Sequence, residues 1–184
     1  MSDPPFELAF QENRSFLFGR ARHCPGCSRV LDDGAVDRDF ELRTHTFDVS
    51  LTHDGAIVVS RAFVEACAEW PSARFEPLTS EPGHAVLHVD REVRVDPFAS
   101  DVVTGPTCER CGGPRYRIRR GPLRLADGET LEPGFSCTDL TFGDTADFGS
   151  DQPIRLRPNI LVDRATGQAL KRAGLIGVHL IAQP

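Results

Sequence analysis

The chain has 184 residues, 40% of them hydrophobic and 26% charged, with 16 Gly and 14 Pro. That describes a folded, turn-rich chain of one-domain length, with room for a core but not for two large ones, and it excludes a large multidomain enzyme or a disordered tail. The balance of 27 acidic against 21 basic residues, a net charge of −6, argues against a protein built to bind a phosphate backbone, because that affinity comes from clustered positive charge. No apolar run approaches the roughly 18–20 residues that span a bilayer, and the N-terminus lacks a basic segment followed by an apolar one. The expectation is a cytoplasmic protein with no membrane partner.

At the N-terminus, Phe6, Leu8 and Phe10, then Phe16 and Phe18, alternate around a polar stretch from residue 11 to 14, which suggests two short strands. A second alternating region runs from Phe40 to Leu51 with a change of phase. Ile57, Val58 and Val59 read as a short buried strand leading into a helix capped by Ser60, with Ala62, Phe63, Ala66, Cys67 and Trp70 on one face and Pro71 as its stop. Leu87, Val89, Val93 and Val95 then share one face of a long strand that ends at Pro97.

The second half repeats this order. Tyr116 and Ile118, then Leu123 and Leu125, are strand-like, and a loop-rich acidic region follows. Ile160, Leu161 and Val162 form another short apolar strand, followed by Asp163 as N-cap and a helix with Ala165, Ala169, Leu170 and Ala173 inward. Gly174 closes it, and Val178 and Leu180 lie on a final strand. Placing Ser60 on Asp163, an offset of 103, aligns the inward faces of the two strand–helix units. The expectation is an α+β fold, mainly antiparallel β with two short helices. It forms a single domain over residues 1–184, made of two pseudo-repeats at about 16–96 and 97–184 by imperfect internal duplication.

Charge is segregated along the second half. Six arginines (Arg110, Arg115, Arg117, Arg119, Arg120, Arg124) occur without an acid, and then seven acids (Asp127, Glu129, Glu132, Asp139, Asp144, Asp147, Asp151) without a base. Such runs are either solvated faces that pair with each other or a docking surface, in which complementary charge speeds association and selects the partner.

Cys24-x-x-Cys27 and Cys108-x-x-Cys111 have the spacing at which a tight turn points two thiolates at one tetrahedral ion. Together they make a four-cysteine shell for a structural zinc, closing a long loop and tying the halves. Four thiolates leave no open position for water, so hydrolysis does not follow from the zinc. A disulfide or redox role is the competing reading, although neither pair starts a helix. His23 could replace a thiolate. Cys67 belongs to an apolar helix face and reads as core, while Cys137 has no assigned role. His84 and His88 on a strand would lie about 13 Å apart, too far to share a metal, and His45 and His53 are isolated. No Gly-rich phosphate loop, nucleophile elbow, paired-His helix or kinase signature occurs, so no enzyme is expected.

The combination of Cys24-Pro25-Gly26-Cys27, Cys108-Glu109-Arg110-Cys111-Gly112 and the closing strand, helix and strand from Ile160 to Leu180 resembles the double-CxxCG motif family of bacterial proteins, which includes immunity proteins partnered with swarm-inhibition toxins. The departures are Ser28, where a glycine would complete the first motif, and Thr166-Gly167 within the closing helix, a pair that costs up to ~1 kcal/mol in helix propensity. The resemblance implies an immunity protein that binds and neutralises a cognate toxin encoded nearby; the charge pattern separately offers the seven acids as the surface for a basic toxin. A zinc-ribbon nucleic-acid-binding or regulatory module that uses the run from Arg110 to Arg124 with Tyr116 is the alternative.

Overall fold

The structure is a computed structural model. It describes residues 5–13, 15, 17–18, 22, 24–27, 29–31, 36–37, 39–52, 54–143 and 156–183. The elements in chain order are β1 (Phe6–Asn13), β2 (Val49–Thr52), β3 (Ile57–Ser60), α1 (Arg61–Ala66), β4 (Ala73–Pro77), β5 (His84–Val89), β6 (Glu92–Val93), β7 (Val102–Thr104), β8 (Arg117–Arg119), β9 (Phe135–Phe142), β10 (Arg157–Val162), α2 (Arg164–Ala173) and β11 (Val178–Ala182). Nine strands form one mixed sheet in the order β4-β5-β3-β2-β1-β10-β9-β6, with β11 also on β1, while β7 and β8 form a separate hairpin. Among the described residues only β1–β2 and β6–β9 run parallel; the other pairings are antiparallel. Among the described residues the fold is therefore mostly β with two helices.

Two four-stranded antiparallel tracts lie within the sheet, β4-β5-β3-β2 and β11-β1-β10-β9, and their registers correspond. In the first, Val59 faces Val49 on one side and Ala85 on the other, and Ala85 faces Pro77. In the second, Val162 faces Phe135 and Phe6, and Phe6 faces Ala182. Each tract sends its third strand into a helix: Ser60 caps α1 and Asp163 caps α2.

The apolar runs Ile57-Val58-Val59 and Ile160-Leu161-Val162 are continuous because both faces of these strands are covered. Val59 and Val162 enter the principal core with Phe63, Phe135, Leu87 and Leu170. Val58 turns instead to a cluster with Leu17, Phe40 and Leu78, and Leu161 to one with Val93, Val95 and Leu123. Phe63 is fully buried, with its ring centroid 6.1 Å from that of Phe135 and 6.3 Å from that of Phe75.

Several elements differ from expectation. There is no turn at residue 11: β1 is one strand whose first half pairs with β10 and β11 and whose end pairs with β2, so its polar residues are held by long-range partners. The region around Phe40 contributes Phe40 and Leu42 to a core cluster without being a strand. The long strand through Val95 breaks after Val89 because Leu87 and Val93 serve different cores. The acidic region is not all loop, since β9 runs through it for 8 residues.

Helix α1 is shorter than its apolar pattern and leaves Ala62 exposed. In α2 the buried residues are Thr166, Gly167 and Leu170, while Ala165 and Ala173 are exposed. A Cβ on Gly167 would lie 2.5 Å from the Phe6 ring, so the glycine permits close approach of α2 to β1.

Candidate metal centre

The first cysteine pair sits on a narrow turn in which the Cys24 N–H donates to the Arg29 carbonyl (2.8 Å) and the Leu31 N–H to that of Arg22 (2.8 Å). The second pair sits at the tip of the β7–β8 hairpin, which is extended by a Thr107–Pro114 bridge. There the Cys108 N–H donates to the Gly113 carbonyl and the Gly112 N–H to that of Cys108, both at 2.9 Å. Gly112 has φ 69°, a left-handed turn that glycine adopts without strain.

These turns bring the four sulfurs together. Cys24 Sγ lies 3.8 Å from Cys108 Sγ and Cys27 Sγ 3.7 Å from Cys111 Sγ, and all four fall within 4.8 Å of one another. A tetrahedron with arms of about 2.3 Å has edges of about 3.8 Å, so the cluster has the dimensions of a four-thiolate metal shell and could hold a metal ion. None of the six cysteines is in a disulfide. Cys24 and Cys108 are buried, while Cys27 and Cys111 are partly exposed.

The thiols are electrostatically unequal. The backbone N–H groups of Cys111 and Arg110 lower the Cys108 thiol to about 6, and the Gly26 N–H does the same in direction for Cys24. Burial pushes Cys27 up to about 12. Backbone donors aimed at sulfur favour the thiolate, which is the metal-binding form.

Two arginines complete the site in a way that spacing alone did not indicate. A Cβ on Gly26 would lie 3.1 Å from Arg110 Cδ and 3.3 Å from Cys108 Sγ, so Arg110 crosses the first turn. Reciprocally, the Arg29 guanidinium lies where a Cβ on Gly113 would be. Each arginine thus occupies the space left by a glycine of the opposite turn. The signal in the sequence is the exchange of Gly and Arg between positions 26 and 110, and between 29 and 113.

The charged runs are dispersed by the fold. Glu129 pairs with Arg94 (2.7 Å) and Glu132 with Arg91 (3.1 Å), and the Asp139 carboxylate accepts the Val95 N–H (2.9 Å). Asp127 is exposed, and Asp144, Asp147 and Asp151 lie outside the described residues. Of the arginines, Arg117 donates to the Thr141 carbonyl, and Arg119 forms a half-buried ion pair with Glu7 (2.6 Å), whose carboxylate also accepts from Gln183. This ion pair fastens the β7–β8 hairpin to β1. Arg115 and Arg120 are exposed.

Cys67 is fully buried in the principal core, where burial raises its thiol to about 12. The Cys137 thiol donates to the Val89 carbonyl (3.4 Å). His84 and His88 lie on β5 and join no metal cluster among the described residues. His23 and His53 lie outside the described residues. Among the described residues no helix is long and apolar enough to cross a membrane. No protein-family model, curated protein or solved structure matches the chain.

Proposed function

We propose that this chain is an immunity protein that binds and neutralises a cognate bacterial toxin encoded beside it, on a scaffold closed by one structural zinc. The observation that carries the reading is the convergence of two CxxC turns, 84 residues apart, on one cluster of four sulfurs. Paired turns of this kind are the feature by which the sequence resembles the double-CxxCG family. Cys24, Cys27, Cys108 and Cys111 would hold the ion, which supplies cross-linking and no open coordination position. Four thiolates around a divalent ion leave excess negative charge, and the cationic side chains of Arg29 and Arg110, each lying across the opposite turn, would help to offset it.

We also infer an internal duplication. The support is the matching order and register of the two four-stranded tracts, each with a capped helix after its third strand. The N-terminal β1 takes in the second tract the place that β5 takes in the first. The interval from Val49 to Val59 is 17 residues shorter than the corresponding interval from Phe135 to Val162, and the longer one contains Asp139, Asp144, Asp147 and Asp151. An insertion carried on a duplicated, metal-tied frame suits recognition of one partner.

Co-expression with the product of the neighbouring gene tests the reading. Growth rescue together with a stable purified complex supports it. A folded, zinc-loaded protein that neither rescues growth nor forms a complex rejects it, and would turn attention to nucleic-acid binding by the exposed arginines.

A further inference from the structure

The two tracts end on edge strands of different character. β4 presents Arg74 and Glu76, the latter 3.0 Å from His88, and ends on Pro77, which has no N–H. The Ala73 N–H is taken by the Trp70 carbonyl at 3.1 Å. Charge, proline and occupied donors are the means by which edge strands avoid pairing. β11 reads Val-His-Leu-Ile-Ala, with no carboxylate, lysine, arginine or proline, and Ile181 is 50% exposed.

The bond from the Gln183 N–H to the Pro5 carbonyl (2.9 Å) fixes the hydrogen-bond parity between β1 and β11. Residues 179, 181 and 183 turn their backbone groups toward β1, so Val178, Leu180 and Ala182 turn theirs away. Among the described residues no hydrogen bond meets these outward groups. Beside them a cavity of about 200 Å³ opens between α2 and β11, lined by Leu170, Lys171, Gly174, Leu175, Val178 and Leu180.

We propose that a second copy of this chain occupies the edge, the two β11 strands pairing antiparallel about a twofold axis at Leu180. In that register Leu180 faces its counterpart and Val178 faces Ala182. Every outward N–H and C=O of the strand then finds a partner, as backbone groups removed from water require. The second copy's Leu180 lies on the α2 face, beside the cavity, and on the other face Ile181 meets His179 across the seam. A twofold axis sets a strand against its own charges, and β11 has none of the carboxylates, lysines or arginines that would resist this. The same operation on β4 fails, because Pro77 lacks a donor and that of Ala73 is used.

Sedimentation velocity of the metal-loaded chain across the micromolar range tests the proposal without any toxin. The expected mass is twice that of one chain. Ala182→Pro removes an N–H that faces away from β1 and places a proline where the corresponding row of β4 has Pro77, so it should halve the mass with unchanged circular dichroism. Should that variant misfold, Ile181→Lys on the exposed face decides, and is expected to shift the equilibrium at least tenfold toward the single chain. A wild-type chain that sediments as a monomer throughout, or a dimer indifferent to the folded variant, overturns the proposal.

Discussion

Replacing Gly167 with alanine sets helix propensity against packing. Propensity favours alanine by up to ~1 kcal/mol in a helix interior, and Gly167 is the fourth of the ten residues of α2. The new Cβ would meet Phe6 Cδ2 at 2.5 Å and Cε2 at 3.0 Å. The ring has little freedom to withdraw: Phe6 is held in register with both Val162 and Ala182, and Lys171 Nζ stands 4.6 Å from the ring centroid. Overpacking of this kind costs about 1–3 kcal/mol, so the expected net effect is a loss of up to about 2 kcal/mol. In a chain of this length the upper end of that range corresponds to a fall in Tm of about 4–8 °C. Calorimetry of the metal-loaded protein reads it directly. Phe6→Leu in the same chain should relieve part of the clash, so the double variant should be less destabilised than the two single changes added together. A Gly167→Ala protein that melts above wild type would refute the close-approach reading and leave the glycine as a plain helix weakness.

The Asp163 carboxylate accepts from the Ala165 (2.8 Å), Thr166 (3.2 Å) and Gly134 (2.9 Å) N–H groups, so Asp163→Ala should cost about 1–2 kcal/mol in a denaturant titration. Burial alone would raise its pKa, but the bonds from the Thr166 hydroxyl and these N–H groups carry it below the usual aspartate value. Its stabilisation is therefore present above the unfolded pKa and lost as pH falls through the folded one, and Asp163→Asn should flatten the acid limb of a stability–pH curve. Cys67→Ser places a hydroxyl in an apolar core and should cost about 1–3 kcal/mol while metal content stays constant, whereas Cys108→Ser should lose the metal. If the proposed immunity function holds, reversing Asp127 and Glu132 should weaken affinity for the toxin at low salt. Unchanged binding there would remove that part of the acidic surface from the interface.

What could be read from the sequence was what is encoded locally. Ser60 and Asp163 announce their helices because a capping side chain needs only the next three residues, and each CxxC turn is likewise self-contained. Features that depend on remote partners were hidden. β1 looks interrupted at its polar residues until β2 pairs with its far end, and β9 is masked by Asp139, whose carboxylate caps the Val95 N–H on a neighbouring segment. Thr166 and Gly167 look like poor helix residues. They are the buried face, one bonded to Asp163 and Gly134 and the other opened to Phe6. The interlocking of Arg29 and Arg110 with opposite glycines appears only once the two turns meet.

In the proposed reading one zinc, held by Cys24, Cys27, Cys108 and Cys111, ties the two halves together. Metal content and thermal unfolding, measured on the same sample before and after chelation, test it most directly. A ligand that binds only the folded state raises stability by about 2.7 kcal/mol at a hundredfold excess over its Kd, and structural zinc sites bind far more tightly than that margin requires. The expected result is one zinc per chain and a large fall in Tm when it is stripped. A chain with no stoichiometric zinc, or one that keeps its melting temperature after chelation has removed the metal, would contradict it.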